Sequence, residues 1–145
     1  DDSIFGFNDK GIIFINRDKI NPATPVHEYS HSWWKAIRAM EPELHKQGIA
    51  LMKQHTTLWD EIANSEDYGK KWSGLSTKEQ DDRIADEVFA RLTGEKSIQI
   101  FQGIEKEGKK TLVGKLKEWL HKVCEFIKNT FSGWTQEEAV KVTDD

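Results

Sequence analysis

Asn21-Pro22-Ala23-Thr24-Pro25-Val26-His27-Glu28-Tyr29-Ser30-His31 is the stretch on which the reading of this chain turns. Thr24 is a good N-cap, and Pro25 suits the first helical position, where its missing N–H costs nothing. His27, Glu28 and His31 then fall in the first two turns of a helix. No breaker follows until Pro42, so the helix is expected to end near Met40–Glu41. On a helix, residues four apart share a face, one turn above the other. Two imidazoles so placed can reach one zinc ion, and the Glu beside the first can reach a water on that ion. At ordinary residue frequencies, a chance HExxH in a chain this short falls below ~1%. The competing account is a surface helix that happens to carry two histidines.

Upstream, Ile4-Phe5-Gly6-Phe7 and Ile12-Ile13-Phe14-Ile15 are rich in β-formers and flank Asn8-Asp9-Lys10-Gly11, the pattern of a hairpin. Downstream, Pro42 starts a second helix through Leu44, Ile49, Ala50, Leu51 and Met52. Leu58 to Ile62 suggests a short third. Asn64 to Leu75, with Gly69 and Gly74, reads as a loop. Ser76-Thr77-Lys78-Glu79 is a capping box that opens a helix to about Leu92, with Gly94 as its stop. Leu112, Leu116, Trp119, Leu120, Val123 and Ile127 recur at helical spacing and predict a long helix over roughly 109–131. Gly133 ends it, and Thr135-Gln136-Glu137-Glu138 suits a small final turn. The expected class is α+β, mostly helical. An N-terminal β-hairpin packs on a helical domain in which the HExxH helix and a later acidic helix form a metal site.

The bounds are modest. A chain of 145 residues is one domain, 1–145, long enough to bury a core. Charged residues are 32% and the net charge is −4, which argues against a general nucleic-acid binder. The single Cys124 rules out an internal disulfide and fits a reducing, cytoplasmic compartment. It sits beside the apolar stripe of the last helix and reads as a buried thiol. No signal peptide or bilayer-spanning run is evident. The chain starts at Asp1 without Met, as a piece of a longer protein would. Of six Trp, Trp33 and Trp34 directly follow the motif, and at least one is expected in the core beside the site. Lys106 to Lys117 is locally basic. With an amphipathic helix following, it suits contact with a membrane surface or another domain, though such a helix more often lies on the core.

A catalytic zinc site needs a third protein ligand. The next histidine, His45, lies beyond a proline, so the helix after the capping box is the better source. It carries Asp82, Asp86 and Glu87 in Asp82-Arg83-Ile84-Ala85-Asp86-Glu87-Val88-Phe89-Ala90. With His27-Glu28-Tyr29-Ser30-His31, this resembles the gluzincin metallopeptidases. In that family the third ligand is a Glu on a later helix, often followed three residues on by Ala. Glu87-Val88-Phe89-Ala90 fits that pattern, and Asp82 to Asp86 fits a longer version with Asp in place of Glu. Glu87 is preferred for its longer side chain, although it sits off the Ile84/Val88/Leu92 stripe. Asp82, nearer Phe89, is second and Asp86 third. Either aspartate could back a ligating histidine if Glu87 is the ligand.

The resemblance implies a zincin-like fold binding Zn2+ through His27, His31 and Glu87. It implies endopeptidase activity on a protein or peptide, with Glu28 as general base. The strand before the motif helix, Ile12–Ile15, is the candidate cleft edge for substrate pairing. Residues 11–31 also look like the metallopeptidase-type domains embedded in large phage and mobile-element proteins, which implies other domains as partners and a bacterial or phage origin. Candidate donors to an oxyanion are Tyr29, His45, His55, Tyr68 and His121, unranked. Two other readings stand beside the peptidase: an inactive metallopeptidase-like binding module, and a metal-free helical interaction domain.

Overall fold

The computed structural model describes residues 5–7, 13–15, 26–94 and 96–131, with side chains from Ser30 onward except at 69, 95, 128 and 131. The expected hairpin turn at 8–11, the Thr24-Pro25 cap and the final turn at 135–138 lie outside the described residues, as do the side chains of His27, Glu28 and Tyr29.

The described residues form seven helices: α1 (Val26–Met40), α2 (Pro42–Gln54), α3 (Thr56–Ala63), α4 (Glu66–Gly69), α5 (Thr77–Leu92), α6 (Ser97–Lys106) and α7 (Lys110–Phe131). The β structure among the described residues is one ladder of three residues a side, Phe5–Phe7 (β1) against Ile13–Ile15 (β2). A ribbon that short makes no layer. Among the described side chains, every buried apolar residue lies on a helix. This overturns the expected α+β class: the fold is helical, with helix-on-helix packing in place of a hairpin layer. Hydrophobic Ile and Phe in the N-terminal segment report strand propensity, but class is decided by what closes the core, and helices close it.

Local signals explain the helix ends. Ser76 Oγ accepts the Glu79 N–H at 3.2 Å, and the Ser76 hydroxyl donates to the Glu79 carboxylate at 2.9 Å. Thus the capping box forms, with the Glu meeting the Ser hydroxyl. At the other end of α5 the stop is Thr93. Its hydroxyl donates back to Phe89 O at 3.0 Å, a local bond that competes with helix continuation. Two elements escape the sequence expectation. α4 is a single turn inside the expected loop, and α6 occupies a stretch where no helix was expected. α6 ends in a Schellman motif: Lys109 N–H donates to Ile104 O and Gly108 N–H to Glu105 O. Gly108 sits at φ +82°, the left-handed position that L side chains rarely adopt. The turn redirects the chain into α7.

α1 and α5 run antiparallel, since Ser30 meets Thr93, His31 meets Asp86 and Arg38 meets Asp82. α2 packs on α1, α5 and α7, and α3 packs on α5. The α7 stripe read from the sequence is the buried one: Leu112, Leu116, Trp119, Leu120, Val123 and Ile127, with Cys124 beside them. Burial of such a side chain is worth roughly 1.5–3 kcal/mol before entropy is counted. Trp34, Phe89 and Trp119 form an aromatic cluster, with centroids 5.6 Å apart for Trp34–Phe89 and 5.8 Å for Phe89–Trp119. Trp33 and Trp34 are both buried. The α2–α7 crossing is close enough that a Cβ on Gly48 would stand 2.2 Å from Trp119 Cζ2. The Trp119 indole N–H donates to Leu44 O at 2.8 Å across the same crossing.

Candidate metal centre

Helical register sets the geometry of the motif. α1 begins at Val26, so positions 27 and 31 stand one turn apart on one face. His31 is the motif residue whose surroundings are described. Its Nδ1 lies 2.5 Å from Asp86 Oδ1, and its Nε2 lies 3.7 Å from Glu87 Oε1. Side-chain exposure is 24% for His31, 15% for Asp86 and 13% for Glu87, so the group opens toward solvent from the imidazole side.

The two contacts differ in kind. A separation of 2.5 Å is a hydrogen bond to a carboxylate. With Nδ1 donating, a neutral ring carries its lone pair on Nε2, the nitrogen turned toward Glu87. A separation of 3.7 Å is too long for a hydrogen bond. It is near the ~3.3 Å expected between two donors that share a tetrahedral zinc at bond lengths of about 2.0–2.1 Å. Burial, the largest single influence on His31, pulls its pKa down. The hydrogen bond to Asp86 and the charges of Asp86 and Glu87 together outweigh it, and the pKa ends above 6.5. Burial pushes the Asp86 carboxyl up from 3.8, and the His31 bond works against that.

Asp82 is one turn away along α5 and has other work. It accepts from Trp34 Nε1 at 2.9 Å, from His45 Nε2 at 2.7 Å and from Arg38 Nη1 at 2.5 Å. Burial raises its pKa, but the bonds from His45 and Trp34 and the Arg38 charge prevail and hold it at about 2. Its carboxylate is committed to tying α1, α2 and α5 together. Among the described residues, then, His31 faces Glu87, the preferred third ligand. Asp86 supports the His31 ring from the far side, and Asp82 takes no part in that pair.

The five oxyanion candidates separate by position. His45 binds Asp82, and its ring lies 4.7 Å from that of Trp34. His55 sits at the α2–α3 junction, its Nδ1 buried without a hydrogen-bond partner and 4.0 Å from Glu107 Oε2. Burial, with Lys109 adding to it, lowers the His55 pKa below 6.5 despite Glu107. His121 is exposed on α7. Burial, with the Glu87 charge adding to it, raises the Tyr68 phenol above its ordinary 10.0, and the side chain of Tyr29 lies outside the description. The Trp34–Arg38–His45–Asp82 cluster was not foreseen from the sequence. Its signal was present: polar residues at 31, 34 and 38 on one helix and 82 and 86 on another have matching helical spacing.

No cluster of three His, Cys, Asp or Glu side chains able to hold a metal occurs among the described residues. The described side chains supply two such donors, His31 Nε2 and Glu87 Oε1, in a spacing that fits a shared cation; His27 lies outside them. No helix among the described residues is long and apolar enough to cross a membrane. No protein-family model, curated protein or solved structure matches this chain.

Proposed function

We propose that this chain is a zinc-dependent peptide hydrolase in which His27, His31 and Glu87 hold the metal and Glu28 is the general base. The observation that carries this reading is the two-sided setting of His31, with Asp86 on Nδ1 and Glu87 opposite Nε2. A ligating histidine commonly hands its other N–H to a carboxylate, which fixes tautomer and ring angle. Zinc in such a site supplies Lewis acidity that makes water nucleophilic near neutral pH and polarises a carbonyl. The protein's own residues do the rest. Asp86 keeps the imidazole oriented, Glu87 brings one negative charge to the site, and Glu28 takes a proton from the attacking water and delivers it to the leaving amine. The substrate is a protein or peptide.

One observation favours a second reading, a metal-free helical interaction domain. Asp82 and His45 make a carboxylate–imidazole pair of the same kind in a purely structural cluster. His31–Asp86 would then be another clamp between α1 and α5.

Metal analysis and peptide digestion separate the two. The purified chain should carry about one zinc, lose it on His31→Ala, and keep it on Glu28→Gln while losing hydrolysis of a peptide library. A chain that binds no transition metal, with wild type and Glu28→Gln alike in digestion, defeats the hydrolase reading.

A further inference from the structure

His55 is the single residue that joins two helices, since α2 ends at Gln54 and α3 begins at Thr56. Its backbone serves both: the N–H donates to Met52 O at 3.1 Å, and the carbonyl accepts from Trp59 N at 3.1 Å. Its side chain does not cap α3. The side chain is 9% exposed, and Nδ1 is buried with no hydrogen-bond partner among the described residues. An orphaned buried atom calls for a reason. Glu107 Oε2, at the C-terminal end of α6, lies 4.0 Å from it, beyond hydrogen-bond reach. Two ties hold this corner together. The Thr57 hydroxyl donates to Glu107 Oε1 at 2.9 Å, and Lys109 Nζ donates to Gln54 O at 3.0 Å. They fasten the α2–α3 joint to the turn between α6 and α7, and the imidazole is buried beside them.

We propose that His55 is an acid-operated latch: with a neutral ring the α2–α3 joint stays closed on the α6–α7 turn, and protonation of the ring opens it. The inference is independent of the metal-centre reading. A buried imidazole is tolerated when neutral, whereas its charged form must be stripped of water. An anion in hydrogen-bond contact would offset that cost. Glu107 is too distant to accept, its other oxygen is engaged by Thr57, and Lys109 brings a positive charge to the same corner. Burial therefore prevails. With Lys109 adding to it, burial holds the His55 pKa below 6.5 against the pull of Glu107. The open corner takes up a proton more readily than the closed one. The stabilisation is fully present above 6.5 and drains away as pH falls through the lowered value of the closed form.

The test is amide hydrogen exchange by NMR on the purified chain at pH 7.5 and pH 5, read as protection factors, with a titration of the His55 ring proton. In wild type the ring should titrate below 6.5. The Trp59 and Lys109 amides, bonded to His55 O and Ile104 O, should lose protection several-fold at pH 5, while the Gln80 amide at the start of α5 holds. His55→Gln, which stays neutral, should show no such loss. Glu107→Gln removes the anion that favours the charged ring, so it should lower the ring midpoint further and deepen the loss. Protection at Trp59 and Lys109 that is unchanged or higher at pH 5 overturns the latch. So does a loss shared equally by Gln80, an equal loss in His55→Gln, or a ring midpoint at or above 6.5. Should His55→Gln fail to fold, Glu107→Gln decides: a midpoint that does not fall overturns the inference.

Discussion

Asp82 and Asp86 stand one turn apart on α5 and differ in what removing each should do. Among the described residues, Asp86 hydrogen-bonds His31. Asp86→Asn should weaken zinc binding roughly 10–100-fold, because the imidazole exchanges a charged acceptor for a weaker, neutral amide oxygen. Isothermal titration with wild type and variant checks this, and equal affinities would rule out the role. Asp82 instead answers three donors from α1 and α2, and its side chain is 14% exposed. Asp82→Asn should leave zinc affinity unchanged and cost stability. The sign with pH follows from its pKa of about 2, below the ordinary 3.8. The stabilisation is fully present above 3.8 and drains away as pH falls toward 2. It is worth about 2 kcal/mol, somewhat less for the share owed to Arg38, which is exposed and screened. Urea unfolding at pH 5 and at pH 2.5 should therefore show a steeper acid loss in wild type than in Asp82→Asn. Parallel losses would count against it.

Between elements, the tightest constraint is the α2–α7 crossing. Ala would ordinarily help a helix by about 1 kcal/mol over Gly. At position 48 its Cβ would meet Trp119 Cζ2 at 2.2 Å, and the indole is pinned by its bond to Leu44 O. Gly48→Ala should destabilise by roughly 1–3 kcal/mol and lower Tm by several degrees; a variant as stable as wild type would mean that the indole can swing aside. The same logic explains what the sequence made legible. α1, α2 and α5 are announced by their starts, Thr24-Pro25, Pro42 and Ser76-Thr77-Lys78-Glu79, and α7 by its long apolar stripe. α6 is short, carries Gly103 and starts at Lys96 without a side-chain cap, so no start signal marks it. The facing of α5 was harder still. Its buried residues, Ile84, Ala85, Val88, Phe89, Ala90 and Leu92, go most of the way round the helix, because α1, α2 and α3 all pack on it. A helical wheel with one stripe cannot rank Asp82, Asp86 and Glu87 in that setting. The HExxH spacing was legible because it is local; which carboxylate meets His31 was not, because tertiary packing decides it. Likewise the Ile and Phe runs near the N-terminus report local strand preference and say nothing of the class.

At the scale of the whole molecule, the His31–Glu87 pair spans the α1–α5 seam, between two helices separated in sequence by α2, α3 and α4. A cation held there joins segments that the unfolded chain does not bring together, so it binds the native state and stabilises it by mass action. At a concentration of about 1,000 times Kd the gain is about 4 kcal/mol. For a chain of 145 residues that corresponds to a Tm rise on the order of 10 °C. Differential scanning calorimetry of chelator-treated protein, with and without added zinc, should show that rise. His31→Ala and Glu87→Gln should abolish it, while Asp82→Asn should start from a lower Tm yet gain as much on zinc addition. Glu28→Gln should gain the full rise as well, since its carboxylate is assigned to proton transfer and not to holding the metal. If every variant gains equally, zinc is binding elsewhere on the surface. If none gains, wild type included, the pair is a clamp between helices, like the one Asp82 makes with His45, and the seam is structural throughout.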